Sequence, residues 1–148
     1  MGFKTILKIA GEDRLKKYIE IAKENESEQA LIISPNDIVF DRRSILKCLW
    51  GCEDQSEPNR IKCGSRGLSF EEAQATIHEY QSILLIHHHD NVKLSNIARK
   101  IEKVAFLDGH YFACALHCCH LCKTCKIDSG KPCLTPLKIR PGDQSFGV

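Results

Sequence analysis

Apolar residues recur at helical spacing in three stretches of the chain. Residues 12–25 place Leu15, Tyr18 and Ala22 on one face, with lysines and glutamates on the other. Ser69 begins a second such stretch, over 70–80, with a glutamate at the spacing of a capping box. The longest stripe starts after Asp90 and ends at Gly109. This periodicity predicts three amphipathic helices.

Shorter apolar runs lie between these helices. A turn-forming sequence at 34–37 separates two of them, which predicts a hairpin. The runs predict strands over 30–33, 38–40, 82–88 and 111–116, with residues 3–10 as a further strand or a lead-in. Strands that alternate with helices indicate an α/β or α+β fold, in which helices flank a layered sheet that carries two cysteine-rich metal loops.

The length of 148 residues predicts a single domain, 1–148. Its expected parts are an N-terminal helix and hairpin (1–41), a first cysteine loop (42–68), a helix–strand–helix–strand segment (69–116) and a C-terminal cysteine cluster with a tail (117–148).

The composition is that of an ordinary globular protein, with 43% hydrophobic and 27% charged residues. A net charge of +2 gives no support for nucleic acid or membrane binding. No apolar run is long enough to span a bilayer, and the N-terminus lacks the apolar core of a signal peptide. The sequence therefore predicts a cytoplasmic protein.

Nine cysteines depart from this ordinary composition. In a secreted chain they would indicate disulfides, with one thiol left over. In a reducing cytosol, and clustered as they are here, they indicate metal ligands instead.

The most specific motif is Cys119-x2-Cys122-x2-Cys125, which Cys133 closes after a stretch typical of a tight turn. Three evenly spaced thiolates and a more distant fourth are typical of an iron–sulfur cluster. Zinc sites more often use two separated pairs of ligands. His117 and His120 keep a zinc site with cysteine and histidine ligands as the alternative.

Another group, the first cysteine group along the chain, consists of Cys48, Cys52 and Cys63. Three thiolates can hold a 4Fe–4S cluster and leave one iron open to a substrate, which is the mark of a catalytic metal centre. A zinc knuckle, or cysteines without a metal, is the alternative. Trp50 either shields this group or packs in the core. The sequence leaves open whether the seven cysteines hold one cluster or two.

Two further cysteines and a histidine run are less specific. Cys114, in the predicted last strand, is expected to be a buried thiol, and Cys118 is either a spare thiol or a fourth ligand of the first group. Along a strand, His87 and His89 share one face and His88 takes the other. These histidines either contribute to a metal site or cap a strand at the surface.

The segment from Phe106 to Leu116, the cysteine run after it and the Arg140-Pro141 tail together resemble a known family. Its members are small predicted metal-binding proteins, cysteine-rich and found mostly in anaerobic bacteria and archaea. The resemblance covers about residues 40–148 and includes the first cysteine group. It implies metal binding by all seven cysteines, expected to be iron–sulfur ligation, and it implies no particular reaction.

Three functions are compatible with these motifs. The first is an iron–sulfur protein of anaerobic metabolism that carries electrons or assists a redox enzyme, with a redox partner protein. The second is an enzyme that activates a small substrate at the open iron of a 4Fe–4S cluster. The third is an interaction module stabilised by zinc.

Overall fold

The structure is a computed structural model that describes residues 2–51, 68–117 and 119–138, without the side chains of 2–12, 48, 49 and 137. The described residues form four α-helices and a two-stranded antiparallel sheet, which confirms the α+β prediction. In chain order the elements are α1 (Gly2–Glu24), β1 (Gln29–Ile33), α2 (Arg43–Gly51), α3 (Phe70–His78), β2 (Ile83–His87) and α4 (Asn91–Leu107).

Contacts divide the chain into two compact units. The first unit combines Met1–Ile33 with Ser82–Cys114 and contains α1, the sheet and α4. The second combines Ser34–Gln81 with Ala115–Val148 and contains α2, α3 and the C-terminal cysteine run.

The sheet of the first unit pairs strands that are far apart in sequence. Ala30 lies opposite Ile86, and Ile32 lies opposite Leu84. Ala30, Leu84 and Ile86 are partly buried against the helices. The buried core consists of five side chains from the two helices: Tyr18, Ala22, Ile97, Ile101 and Ala105. The helical stripes predicted from the sequence therefore form the core of this unit.

A polar cluster joins α1 to the end of α4. The Tyr18 hydroxyl donates a hydrogen bond to Oδ2 of Asp108 (2.8 Å), and Lys17 forms an ion pair with the same carboxylate. The His110 ring meets the Tyr18 ring edge-on, with centroids 6.0 Å apart. Burial, together with the bond to Asp108, raises the pKa of Tyr18 to about 12. Lys17 and then Tyr18 lower the pKa of Asp108.

Two local signals fix where the elements of this unit begin and end. Glu26 has a left-handed φ of 68° just after α1, and the Ser27 N–H donates to the Ala22 carbonyl (3.0 Å), which turns the chain into β1. Asp90 caps α4 by accepting hydrogen bonds from the backbone N–H groups of Val92 (2.8 Å) and Lys93 (3.1 Å). The same N–H groups, Lys93 first, lower the pKa of Asp90.

In the second unit, a capping box and two side-chain contacts stabilise α3. Ser69 and Glu72 form the predicted capping box: the Ser69 hydroxyl accepts from the Glu72 N–H (3.2 Å), and the Glu72 carboxylate accepts from the Ser69 N–H (2.8 Å). Phe40 packs edge-on against Phe70, with ring centroids 6.2 Å apart. Arg42 forms an ion pair with Glu71.

Two predicted strands, 38–40 and 111–116, are wrong, and so is the strand alternative for 3–10. Residues 3–10 belong to α1, because their apolar positions also fit a helical repeat. Residues 38–40 form no strand: a capped 3₁₀ turn at Pro35–Asp37 redirects the chain, and Phe40 packs on α3. The partner of β1 is therefore β2, not 38–40. Residues 111–116, which the structure describes, are irregular.

The first prediction tests the core between the two helices. Ile101→Ala should lower the free energy of unfolding by about 2–5 kcal/mol, because it leaves a cavity against α1. Val92→Ala, at a half-exposed position on the same helix, should change it by less than about 0.5 kcal/mol. Urea unfolding followed by circular dichroism measures both. Equal effects of the two substitutions would contradict the packing.

The second prediction concerns Tyr18. Because its folded-state pKa of about 12 exceeds the ordinary value of 10.0, its contribution to stability is complete below pH 10 and is lost as the pH rises through 12. Ionised tyrosine absorbs at 295 nm, so the native protein and Tyr18→Phe are both titrated with base at this wavelength. The absorbance difference between them should have its midpoint near pH 12. A midpoint near 10 would show that Tyr18 is neither buried nor bonded to Asp108.

Candidate metal centre

The predicted C-terminal ligands lie in an irregular loop of the second unit. Cys119, Cys125 and Cys133 are half-buried, and Cys122 is exposed. None of these four thiols is part of a disulfide. Reduced thiols in a partly exposed loop are accessible to a metal ion and can ionise to the thiolates that bind it.

A tight turn separates Cys125 from Cys133, as the sequence predicts. The Lys126 carbonyl accepts hydrogen bonds from the backbone N–H groups of Ser129 (3.1 Å) and Lys131 (3.0 Å) and from the Ser129 hydroxyl (2.8 Å). Gly130 follows the 3₁₀ turn Ile127–Ser129 with a φ of 71°, a conformation that favours glycine. The turn reverses the chain between the third and fourth cysteines of the motif.

Cys133 has a backbone donor of its own. The Thr135 N–H donates to Sγ of Cys133 over 3.4 Å. A hydrogen bond to sulfur is one of the features that adjust the potential of a metal centre bound through that sulfur. This contact fits Cys133 to the role of a ligand.

Buried residues flank the four thiols in sequence. Ala115 and His117 precede the run and are buried, and the buried side chain of Ile127 anchors the turn. Lys123 and Lys126 are exposed within the run, where they can offset the negative charge of thiolates. The loop thus combines apolar anchors with exposed cations.

The first cysteine group is described only in part. Cys48 lies in α2, but its side chain is outside the described part, and Cys52 and Cys63 fall outside the described residues altogether. Ligation by this group stays a prediction. Trp50, expected to pack in the core or to shield this group, is 82% exposed, so the packing prediction is wrong.

The structure tests the prediction for Cys114 but not the prediction for Cys118. Cys114 is exposed, so the prediction of a buried thiol is wrong. The reason is that its segment is irregular and is not the strand expected to bury it. Cys118 lies outside the described residues, and its role stays a prediction.

The structure also brings together ligand atoms that the sequence did not connect. One ligand atom each from Glu28, His88 and His89 lie within 4.8 Å of one another. Within the part of the chain that the structure describes, the cysteine sulfurs form no group this compact. The four C-terminal cysteines share one loop, whereas the glutamate and the histidines are already close in space.

The histidine run alternates as predicted, with His87 and His89 exposed and His88 buried. The two exposed rings contact opposite oxygens of one carboxylate: Nδ1 of His89 contacts Oε1 of Glu28, and Nδ1 of His87 lies 2.9 Å from Oε2. The bond from His89 is the main cause of the lowered pKa of Glu28. Sequence reasoning missed Glu28 because it paired β1 with 38–40 rather than with β2.

Comparisons with known proteins identify a family. Residues 31–148 match the model of the family described as "Predicted metal-binding protein (DUF2284)". No curated protein and no solved structure matches the chain. No helix among the described residues is long and apolar enough to cross a membrane.

The match confirms the resemblance to a metal-binding family. It includes all nine cysteines and the histidine run, but not Glu28. Because the family model covers well over half of the sequence, this chain belongs to the DUF2284 family of predicted metal-binding proteins.

Proposed function

We propose that this protein binds iron–sulfur clusters and serves anaerobic metabolism by carrying electrons or assisting a redox enzyme. The observation that carries the proposal is the loop of Cys119, Cys122, Cys125 and Cys133, four reduced thiols with a turn between the third and the fourth. The metal-binding description of the family supports it. Four cysteine thiolates are the usual ligand set of a 4Fe–4S cluster.

The residues of the loop have distinct roles in this proposal. In the proposal, Cys119, Cys122 and Cys125 supply three evenly spaced ligands, and Cys133, which follows the turn that starts at Lys126, supplies the fourth. The Thr135 N–H donates a hydrogen bond to the Cys133 sulfur. When bound, a cluster supplies one-electron redox chemistry at a potential that such hydrogen bonds and solvent exposure adjust.

Cys48, Cys52 and Cys63 form the second ligand set in the proposal. Cys48 lies in α2, and Cys52 directly follows the last residue of that helix, Gly51. The third ligand then comes from Cys63.

An electron-transfer role requires a partner protein with which electrons are exchanged. Exposed lysines at 123, 126, 131 and 138 lie in the same loop as the four thiols. Complementary charge raises the rate at which proteins meet, and it weakens with added salt. We therefore propose a partner with an acidic surface near its own redox centre.

The third prediction tests the ligands. Protein purified without oxygen should contain about four irons and four sulfides for each cluster, and therefore about eight of each for two clusters. Cys122→Ser should remove the contribution of the C-terminal cluster, because a serine hydroxyl is a poor ligand for this centre. Cys114→Ser is the matched control, since Cys114 is an exposed thiol outside the motif.

Iron, acid-labile sulfide and zinc per chain are measured on all three proteins. Iron that falls in Cys122→Ser and is unchanged in Cys114→Ser supports the proposal. Zinc without sulfide would contradict it and would identify a zinc-stabilised module. Equal iron loss in both variants would contradict the assignment of the ligands.

A further inference from the structure

The histidine run and Glu28 form a second group of metal-ligating side chains, in the first unit. Glu28 lies outside the residues that match the family model, and the proposed iron–sulfur function does not use it. The group therefore calls for an explanation of its own.

The backbone of the sheet holds Glu28 at this position. Gln29 pairs with His87 at the end of the ladder, and the Glu28 N–H donates to the His87 carbonyl (3.1 Å). The His89 N–H in turn donates to Oε1 of Glu28 (3.3 Å). Main-chain contacts thus hold Glu28 on both flanks of His88: its backbone N–H contacts His87, and its carboxylate contacts the His89 N–H.

The two exposed histidines contact the Glu28 carboxylate, whereas the buried His88 stacks on one of them. His89 contacts Oε1, whereas His87 lies against the other oxygen, Oε2. The His88 ring is buried and stacks on the His89 ring, with centroids 4.8 Å apart and an angle of 26° between the planes. His88 therefore limits the orientations that the His89 ring can adopt.

We propose that Glu28, His88 and His89 bind a divalent transition-metal ion such as Zn²⁺, with His87 orienting the carboxylate. Two imidazoles and one carboxylate are a ligand set that zinc and neighbouring first-row ions accept, and three protein ligands leave a coordination position open. Metal-ligating groups are commonly oriented by a hydrogen bond to their second polar atom, which is the role of His87 here.

The distances suit a shared ion. Bonds of about 2.1 Å at tetrahedral angles place ligand atoms about 3.4 Å apart. The three ligand atoms lie within 4.8 Å of one another, so only small movements separate them from the distances of a shared ion. Neighbouring charges are engaged elsewhere: Lys93 pairs with Glu26 (2.7 Å), and the Asp90 carboxylate caps α4.

Metal binding has a specific consequence for Asp90. Its backbone N–H donates to Nδ1 of His88 (2.8 Å), so the single lone pair of the neutral His88 ring points to that N–H. Ligation by His88 needs this lone pair. The ion must therefore displace the hydrogen bond from the Asp90 N–H. The NMR signal of the Asp90 amide should report this loss, although the amide itself does not contact the metal.

The fourth prediction uses the full chain, labelled with ¹⁵N and titrated with Zn²⁺ after its cysteine centre has been loaded. The imidazole nitrogens of His88 and His89 and the amide of Asp90 should shift together as one ion binds. Glu28→Gln and His89→Gln should each weaken this binding by at least about tenfold. Glu20→Gln is the matched control, because Glu20 is an exposed glutamate of α1 that pairs with Lys23.

Cys122→Ser separates this site from the proposed cysteine centre, since it should leave the imidazole shifts unchanged. Amide spectra confirm that each variant is folded. Imidazole signals that do not respond to Zn²⁺ would overturn the proposal. So would native-like zinc binding in both Glu28→Gln and His89→Gln, or zinc binding that leaves the Asp90 amide where it was.

Discussion

Burial of Ile97 and Ile101 of α4 against Tyr18 and Ala22 of α1 is the interaction on which the first unit depends. Apolar burial of this kind is the main favourable contribution to folding. It holds two distant segments of the chain side by side, and this arrangement lets β2 pair with β1. The register of that pair then brings Glu28 to the histidine run. The proposed second metal site is therefore a consequence of helix packing.

The cysteine loop relies on a different principle. Backbone hydrogen bonds to the Lys126 carbonyl and a left-handed glycine form its turn, and among the described residues of the loop Ile127 is the buried apolar side chain. Metal-ligand bonds can supply the order that a small core does not. In the proposed iron–sulfur centre, the thiols supply the ligands, and the exposed lysines and the backbone donor to sulfur adjust its potential.

Local signals in the sequence predicted three of the four helices that the structure describes; α2 (Arg43–Gly51) was missed, because its residues were assigned to the first cysteine loop. The stripe of α4, its cap at Asp90 and the capping box at Ser69 depend on neighbouring residues, and the structure contains all three. Strand pairing depends on distant residues, so the sequence favoured the nearby 38–40 over β2 as the partner of β1. The same error hid Glu28. Cysteine spacing is local, and the metal binding that it indicates agrees with the description of the family as predicted metal-binding proteins. The identity of the metal depends on geometry that spacing does not encode.

X-ray absorption at the iron and zinc edges of anaerobically purified protein distinguishes an iron–sulfur cluster from a zinc site. The proposed cluster should give an iron edge with sulfur neighbours and a second shell of iron. That iron shell should weaken when Cys133, the ligand with its own backbone donor, is replaced by serine. Zinc surrounded by sulfur at about 2.3 Å, with no iron in the protein, would contradict the account.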